Sequence, residues 1–156
     1  MTVSELRLID DIRAASRQMV RELGFLEATV AATDHPPSAV HAILEIGIRG
    51  PMTAGQLADV LHLEKSSVSR LVRKLIESSE LKELTDADDA RIKPLSLTAK
   101  GHRTLAALHA FGRRQVSGAL VRLTDAERRT VRDGLTLYAR ALQADRTTEA
   151  EVQASL

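Results

Sequence analysis

The apolar positions between residues 53 and 76 fall into two short helical stripes that differ in what they leave outside. In the second stripe, Val68, Leu71, Val72, Leu75 and Ile76 recur at i, i+3, i+4, i+7 and i+8, the spacing of one buried helix face. Ser66, Ser69, Arg70 and Arg73 recur with the same period on another face, which carries hydroxyls and cations and no carboxylate before Glu77. The first stripe, Leu57, Val60 and Leu61, follows Thr53 and Gln56, which are spaced as a capping box. Only His62, Leu63 and Glu64 separate the two, a connection as short as a helix-turn-helix requires, although it lacks glycine. The competing reading of these residues alone is an ordinary helical hairpin whose serines are solvated.

The flanking pattern extends the picture. Leu6, Ile9, Ile12, Met19, Leu23, Leu26 and Val30 predict a long amphipathic helix from Ser4 to about Thr33, broken by His35-Pro36-Pro37. Ser38 is placed to cap a second helix with Val40, Ile43, Leu44 and Ile46 on its apolar side. After Ser78 the period shortens. Leu81–Leu84 and Ile92–Leu97 predict two strands around a polar tip at residues 85–91, with Pro94 confining the second strand to an edge. Such a ribbon directly after a groove-reading helix is a wing, and Arg91 near its tip is placed for an adjacent minor groove. Thr98 then caps a helix to about Arg122, weakened locally by Gly101, Gly112 and Gly118. Thr124 and Glu127 form another capping-box pair before a helix carrying Val131, Leu135, Tyr138 and Leu142. Residues from Ala144 onward read as polar and frayed.

The fold class expected is mainly α with a small two-stranded β wing. A winged helix-turn-helix at residues 36–97 is framed by a helical dimerisation region from residues 1–35 and 98–145, and residues 146–156 form a polar tail. The framing helices hold more apolar surface than the small winged unit can cover, which predicts a two-fold homodimer. Two recognition helices about one duplex turn apart then predict a near-palindromic operator.

Composition narrows the partners. Net charge is +1, from 22 basic and 21 acidic side chains, so bulk charge points to no polyanion. Local clustering does: Lys65, Arg70, Arg73 and Lys74 stand between Lys65 and Ile76 without an acid. An aromatic content of 2% leaves little to stack on bases and argues against a single-strand binder. Arginine forks suit guanine edges or phosphates in the major groove, and serine hydroxyls suit phosphate oxygens. There are no cysteines, which excludes disulfides, thiolate ligands and a thiol switch. No apolar run approaches a membrane span and the N-terminus lacks a secretory core, so a cytoplasmic protein with no membrane partner is expected.

In this order the residues resemble the MarR family of winged-helix transcriptional regulators over nearly the whole chain. The likeness rests on LEKSSVSRLVRKL (Leu63 to Leu75) and DARIKPLSLTAKG (Asp89 to Gly101), the latter carrying the wing signature Asp89-x-Arg91 and Leu97-Thr98-x-x-Gly101. The resemblance implies an obligate dimer, double-stranded operator DNA, and a small phenolic or lipophilic effector that weakens DNA binding. Ser66, Ser67, Ser69, Arg70 and Arg73 then fall on major-groove positions, with Lys65, Lys74, Arg91 and Lys93 completing the DNA-binding set and Asp89 orienting the wing. The effector cleft implied by the family would be approached by Arg13, Arg17, His41 and His102. The chain departs from the family where glycine and an apolar residue usually precede the first wing strand: here stand Ser79 and Glu80. Glu83 replaces a commonly basic residue, Pro94 is unusual, and Asp86, Asp88 and Asp89 make the wing tip acidic. These departures weaken wing–phosphate contact. HPPSAVHAILEIG also resembles the MarR-like half of fusions to a GNAT acetyltransferase. The alternative is therefore a non-catalytic regulatory or interaction module associated with such an enzyme, with weak or no DNA binding.

Other chemistries find no pattern. His35, His41, His62, His102 and His109 include no i, i+4 pair of the kind that holds a metal on a helix. The chain has no Gly-x-Ser-x-Gly elbow and no glycine-rich phosphate loop. No metal, no cofactor and no catalysis are expected, and the sum of the sequence is a dimeric DNA-binding repressor.

Overall fold

The computed structural model describes residues 1–85 and 88–155; the expected wing-tip acid Asp86 lies outside them. Among the described residues there are six helices and a two-stranded sheet. They fall into two compact units, Met1–Gly112 and Arg113–Leu156.

Helix α1 (Val3–Glu22) opens on a capping box between Thr2 and Glu5 that the apolar pattern did not reveal. The Thr2 backbone N–H and hydroxyl hold the Glu5 carboxyl below its ordinary value. The helix stops well short of the predicted Thr33. Gly24 turns left-handed at φ +79°, while Phe25 N–H donates to Val20 O (3.2 Å) and Gly24 N–H to Arg21 O (3.0 Å). That bond pair is a Schellman motif, so glycine and not the later prolines ends α1. Leu26 and Val30 therefore belong to a loop. In that loop Ala31 and Ala32 take φ values of +57° and +55°, and Val30 enters the core.

Helix α2 (Pro37–Arg49) starts at an N-cap Pro36 with no side-chain cap. Ser38 is thus inside the first turn, and Pro37 occupies the one place where a missing N–H costs nothing. Helix α3 (Ala54–Leu61) has the expected capping box: Thr53 N–H to Gln56 Oε1 is 2.9 Å and Gln56 N–H to Thr53 Oγ1 is 3.1 Å. It ends at His62, which adopts the left-handed conformation (φ +53°) that glycine usually supplies in such a turn. Helix α4 (Lys65–Glu77) follows at once.

Strands β1 (Leu81–Glu83) and β2 (Leu95–Leu97) pair antiparallel with Leu81 opposite Leu97, Lys82 opposite Ser96 and Glu83 opposite Leu95. They are shorter than predicted. Pro94 precedes β2, and its carbonyl accepts from Leu84 N–H (2.7 Å). The other side of β2 is not a free edge throughout, because Leu95 exchanges both backbone bonds with Met52. Helix α5 (Ala99–Leu120) is opened by the Thr98 hydroxyl, which accepts from Gly101 N–H (3.0 Å).

The core lies in the winged part: Ile43 of α2, Leu57 of α3, Val68 and Leu75 of α4, Leu81 of β1 and Leu95 of β2 are fully buried. Alternation along the ribbon puts Leu81, Leu95 and Leu97 inward, as a one-face-buried sheet requires. Helix α6 (Asp125–Ala154) opens on the predicted Thr124–Glu127 box but does not fray at Ala144. Its last turns contain no glycine or proline, and Thr147 and Thr148 return their hydroxyls to the carbonyls of Gln143 and Ala144. Neither α1 nor α6 buries a residue. Among the described residues no helix is long and apolar enough to cross a membrane.

Candidate nucleic-acid interface

Helix α4 divides its residues by face. Val68, Leu71, Val72 and Leu75 are buried, with Ile76 partly so, while Lys65, Ser66, Ser69, Arg70, Arg73 and Lys74 are exposed and Ser67 is half-buried. The packing of α2, α3 and the ribbon against the apolar stripe leaves the cationic ridge facing outward. The polar groups are not all equally available. Ser69 Oγ donates to Lys65 O (3.0 Å), so its proton is used inside the helix and the hydroxyl offers the outside an acceptor. Arg70 Nη2 donates to Ser67 Oγ (3.3 Å), which holds one edge of the fork and leaves the others free to donate outward.

The wing brings its cations next to carboxylates. Asp89 Oδ1 accepts the Arg91 backbone N–H at 2.9 Å and lies 3.7 Å from Arg91 Nε. Arg91 remains almost wholly exposed, its side chain at 95%. Lys93 Nζ stands 3.6 Å from Glu83 Oε2. Glu83 lines a cleft with Ala54, Ser69, Arg73 and Glu77, so the end of β1 borders the α4 ridge. A second concavity runs along the turn, lined by Asp59, His62, Glu64, Lys65, Ser66 and Ser67.

The residues expected at an effector cleft come from three elements. Arg13 and Arg17 are exposed on α1, where Arg13 Nη1 pairs with Asp10 at 3.2 Å. His41 on α2 is exposed and its ring stacks on Phe25, centroids 5.5 Å apart. His102 is exposed on α5. Arg13 thus has a neighbouring carboxylate and His41 an aromatic neighbour. Among the described residues no cluster of three or more histidine, aspartate or glutamate side chains is placed to hold a metal ion.

Sequence reasoning overlooked one polar centre. Ser79 takes φ +61° and Glu80 is buried at 2% exposure, at the two positions that read as departures from the MarR pattern. His35 Nε2 lies 3.1 Å from Glu80 Oε1 and Lys100 Nζ 3.7 Å from the same oxygen. This group ties the loop before α2, the root of β1 and the first turn of α5. Its signal was present as a carboxylate set between the apolar positions Leu75 and Leu81, where a core residue is due.

Residues 33–92 match the model of the MarR family. That segment, which spans α2 to the end of the wing loop, is similar to the family. Similar solved structures extend the likeness beyond it. A probable transcriptional regulator from Pseudomonas aeruginosa is 26% identical over 84% of this chain and 98% of its own, with a TM-score of 0.68. A MarR family protein from Bacillus stearothermophilus is 20% identical over 90% of this chain and 95% of its own, with a TM-score of 0.69. MepR of S. aureus, in a structure bound to ethidium bromide, is 23% identical over 91% of this chain and 97% of its own, with a TM-score of 0.54. The sequence matches no curated protein at a significant level. The chain shares its fold with these proteins.

Proposed function

We propose that the chain is a homodimeric MarR-type repressor that binds a near-palindromic operator and is released by a small phenolic or lipophilic effector. The observation that carries the DNA-binding part is the division of α4, with four apolar residues buried and the ridge of Lys65, Ser66, Ser69, Arg70, Arg73 and Lys74 left outside. That ridge, with Ser67, enters the major groove, and Arg91 and Lys93 of the wing meet the flanking backbone or minor groove while Asp89 orients the wing.

Dimerisation is supported by what the framing helices leave uncovered. Leu6, Ile9, Ile12 and Met19 on α1, and Val131, Leu135, Tyr138 and Leu142 on α6, are all exposed large apolar side chains. Stripes of this size on a folded chain mark a surface that another chain covers. Residues 1–35 and 98–145 are thus the dimerisation region and residues 36–97 the DNA-binding domain. The effector reading draws on the MepR structure with ethidium bromide, a lipophilic cation, and on Arg13, Arg17, His41 and His102 as candidate contacts. An effector acts by binding more tightly to a dimer whose α4 helices are spaced wrongly for successive grooves, a bias of about 1–3 kcal/mol. Neither the family match nor the similar structures favour the acetyltransferase-linked alternative.

Selection of bound sequences from a random duplex pool tests the reading. Enrichment of an inverted repeat with half-sites about one helical turn apart is expected. Recovery of unenriched sequence, with no steep loss of binding on adding salt, contradicts it.

A further inference from the structure

The register of the ribbon places Glu83 opposite Leu95, so both project to the face that packs on the domain. Leu95 is buried there, whereas Glu83, at the end of β1, reaches the cleft it shares with Ser69, Arg73 and Glu77 of α4. Lys93 lies two residues before Leu95 and has the same parity, which makes it the diagonal neighbour of Glu83 and explains the 3.6 Å approach. With side-chain exposures of 61% and 46%, the pair stands in water, where its mutual attraction is weak and readily exchanged. It is a poor brace for the wing. Its consequence is electrostatic: a fixed anion accompanies a wing cation beside the α4 ridge.

We propose that Glu83 is an affinity-determining residue of the DNA interface, an internal counterion that holds Lys93 until a duplex phosphate displaces it. The proposal rests on the DNA-binding reading above. A lysine adds sequence-independent affinity by neutralising a phosphate and releasing the counterions condensed on it. A lysine whose charge is already balanced by a carboxylate brings no net charge to the duplex and releases none. Glu83 thereby lowers binding to arbitrary DNA and leaves discrimination to α4, whose ridge carries no such partner before Glu77. Glu83 acts through Lys93 and touches no base itself.

The test is a salt titration of the full chain on a duplex of random sequence, with the wild type, Glu83→Gln, Lys93→Met and the double variant. Glu83→Gln is expected to bind more tightly and to steepen the slope of log K against log salt by about 0.9 per protomer, which amounts to roughly threefold more affinity gained between ~200 and ~50 mM salt. In the Lys93→Met background the same change leaves the slope where it was. An equal gain in both backgrounds would mean simple repulsion between Glu83 and DNA and overturns the proposal, as does an unchanged slope with Lys93 present. Arg70→Ala and Arg73→Ala, run beside these, separate the two levels. If they weaken binding while Glu83→Gln leaves the slope alone, the DNA-binding reading stands and the role of Glu83 falls. If the chain binds no duplex, both fall.

Discussion

Replacing Gly101 by alanine tests the joint between the wing root and α5. A Cβ on Gly101 would stand 2.2 Å from the carbonyl oxygen of Glu80 and 3.2 Å from both its carbonyl carbon and Leu97 Cβ. Ordinary contact between heavy atoms is about 3.5 Å, so the first of these is more than an ångström too close. The obstacle is backbone and cannot swing away. The same oxygen accepts Thr98 N–H at 3.0 Å, and it belongs to a residue whose side chain is itself buried and paired. Relief therefore requires the first turn of α5 to move off β1. Overpacking of this kind costs about 1–3 kcal/mol. The gain of alanine over glycine inside a helix, up to ~1 kcal/mol, works against that cost. A net loss of about 1–2 kcal/mol is expected, which for a chain of this length lowers Tm by about 2–8 °C.

Gly118 supplies the control within the same helix. Nothing lies within 4 Å of its Cβ position, so Gly118→Ala meets no obstacle and is expected to gain up to ~1 kcal/mol. The assay is urea unfolding followed by circular dichroism. All variants are held at one protein concentration, because dissociation of a dimer would be linked to unfolding. If Gly101→Ala proves as stable as Gly118→Ala, α5 does not press on the wing root and the reasoning fails.

Three further outcomes follow from the same contacts. Arg70→Ala and Arg73→Ala are each expected to cost about 1–3 kcal/mol of operator binding with relaxed base preference where the side chain reads a base, and a lower salt slope where it meets phosphate; wild-type binding by the double variant contradicts the groove assignment. His35→Ala leaves the buried Glu80 carboxylate with Lys100 alone at 3.7 Å, and a loss of about 2–3 kcal/mol in urea unfolding is expected, against little change if the pair is dispensable. The Glu127 carboxyl is held below its ordinary value by the backbone N–H of Thr124 first and its hydroxyl second. A lowered folded-state value means that this support for α6 is complete above the ordinary glutamate range and is lost as pH falls through the lowered value. Helix content should fall there, and Glu127→Gln should remove that part of the acid titration.

The winged unit was legible because its evidence is local. Val68, Leu71, Val72 and Leu75 announce a buried helix face by spacing alone, and the residues left over on α4 are the ones found outside. The capping boxes at Thr53 and Thr124 were equally plain, since threonine and a residue three positions on must meet if a helix starts between them. The boundaries misread were those where two local signals compete. At the end of α1 the apolar stripe runs on through Leu26 and Val30, but Gly24 closes a Schellman motif first and Val30 is buried from a loop. At α2, Ser38 is a good cap in isolation, but Pro37 already fits the first helical position, which moves the start two residues earlier.

Glu80 shows why the rest stayed hidden. Read along the chain, a serine and a glutamate at positions 79 and 80 look like a flaw in a wing signature, because the partners that make sense of them are remote in sequence. Ser79 can adopt a left-handed backbone at a cost of about 1–2 kcal/mol, and its carbonyl then receives the Thr98 hydroxyl. Glu80 can be buried because His35, from the far side of α2, and Lys100, from α5, both reach its Oε1. Desolvating a carboxylate is tolerable only with such partners, so the three residues are coupled and none is interpretable alone. The same argument separates Glu80 from Glu83, three residues on. One carboxylate is enclosed and joins three segments of the fold. The other stands at the rim of the α4 cleft beside Lys93, where its charge meets whatever approaches the ridge. The two acidic departures at the base of the wing thus divide between holding the ribbon in place and setting how strongly it is drawn to a polyanion.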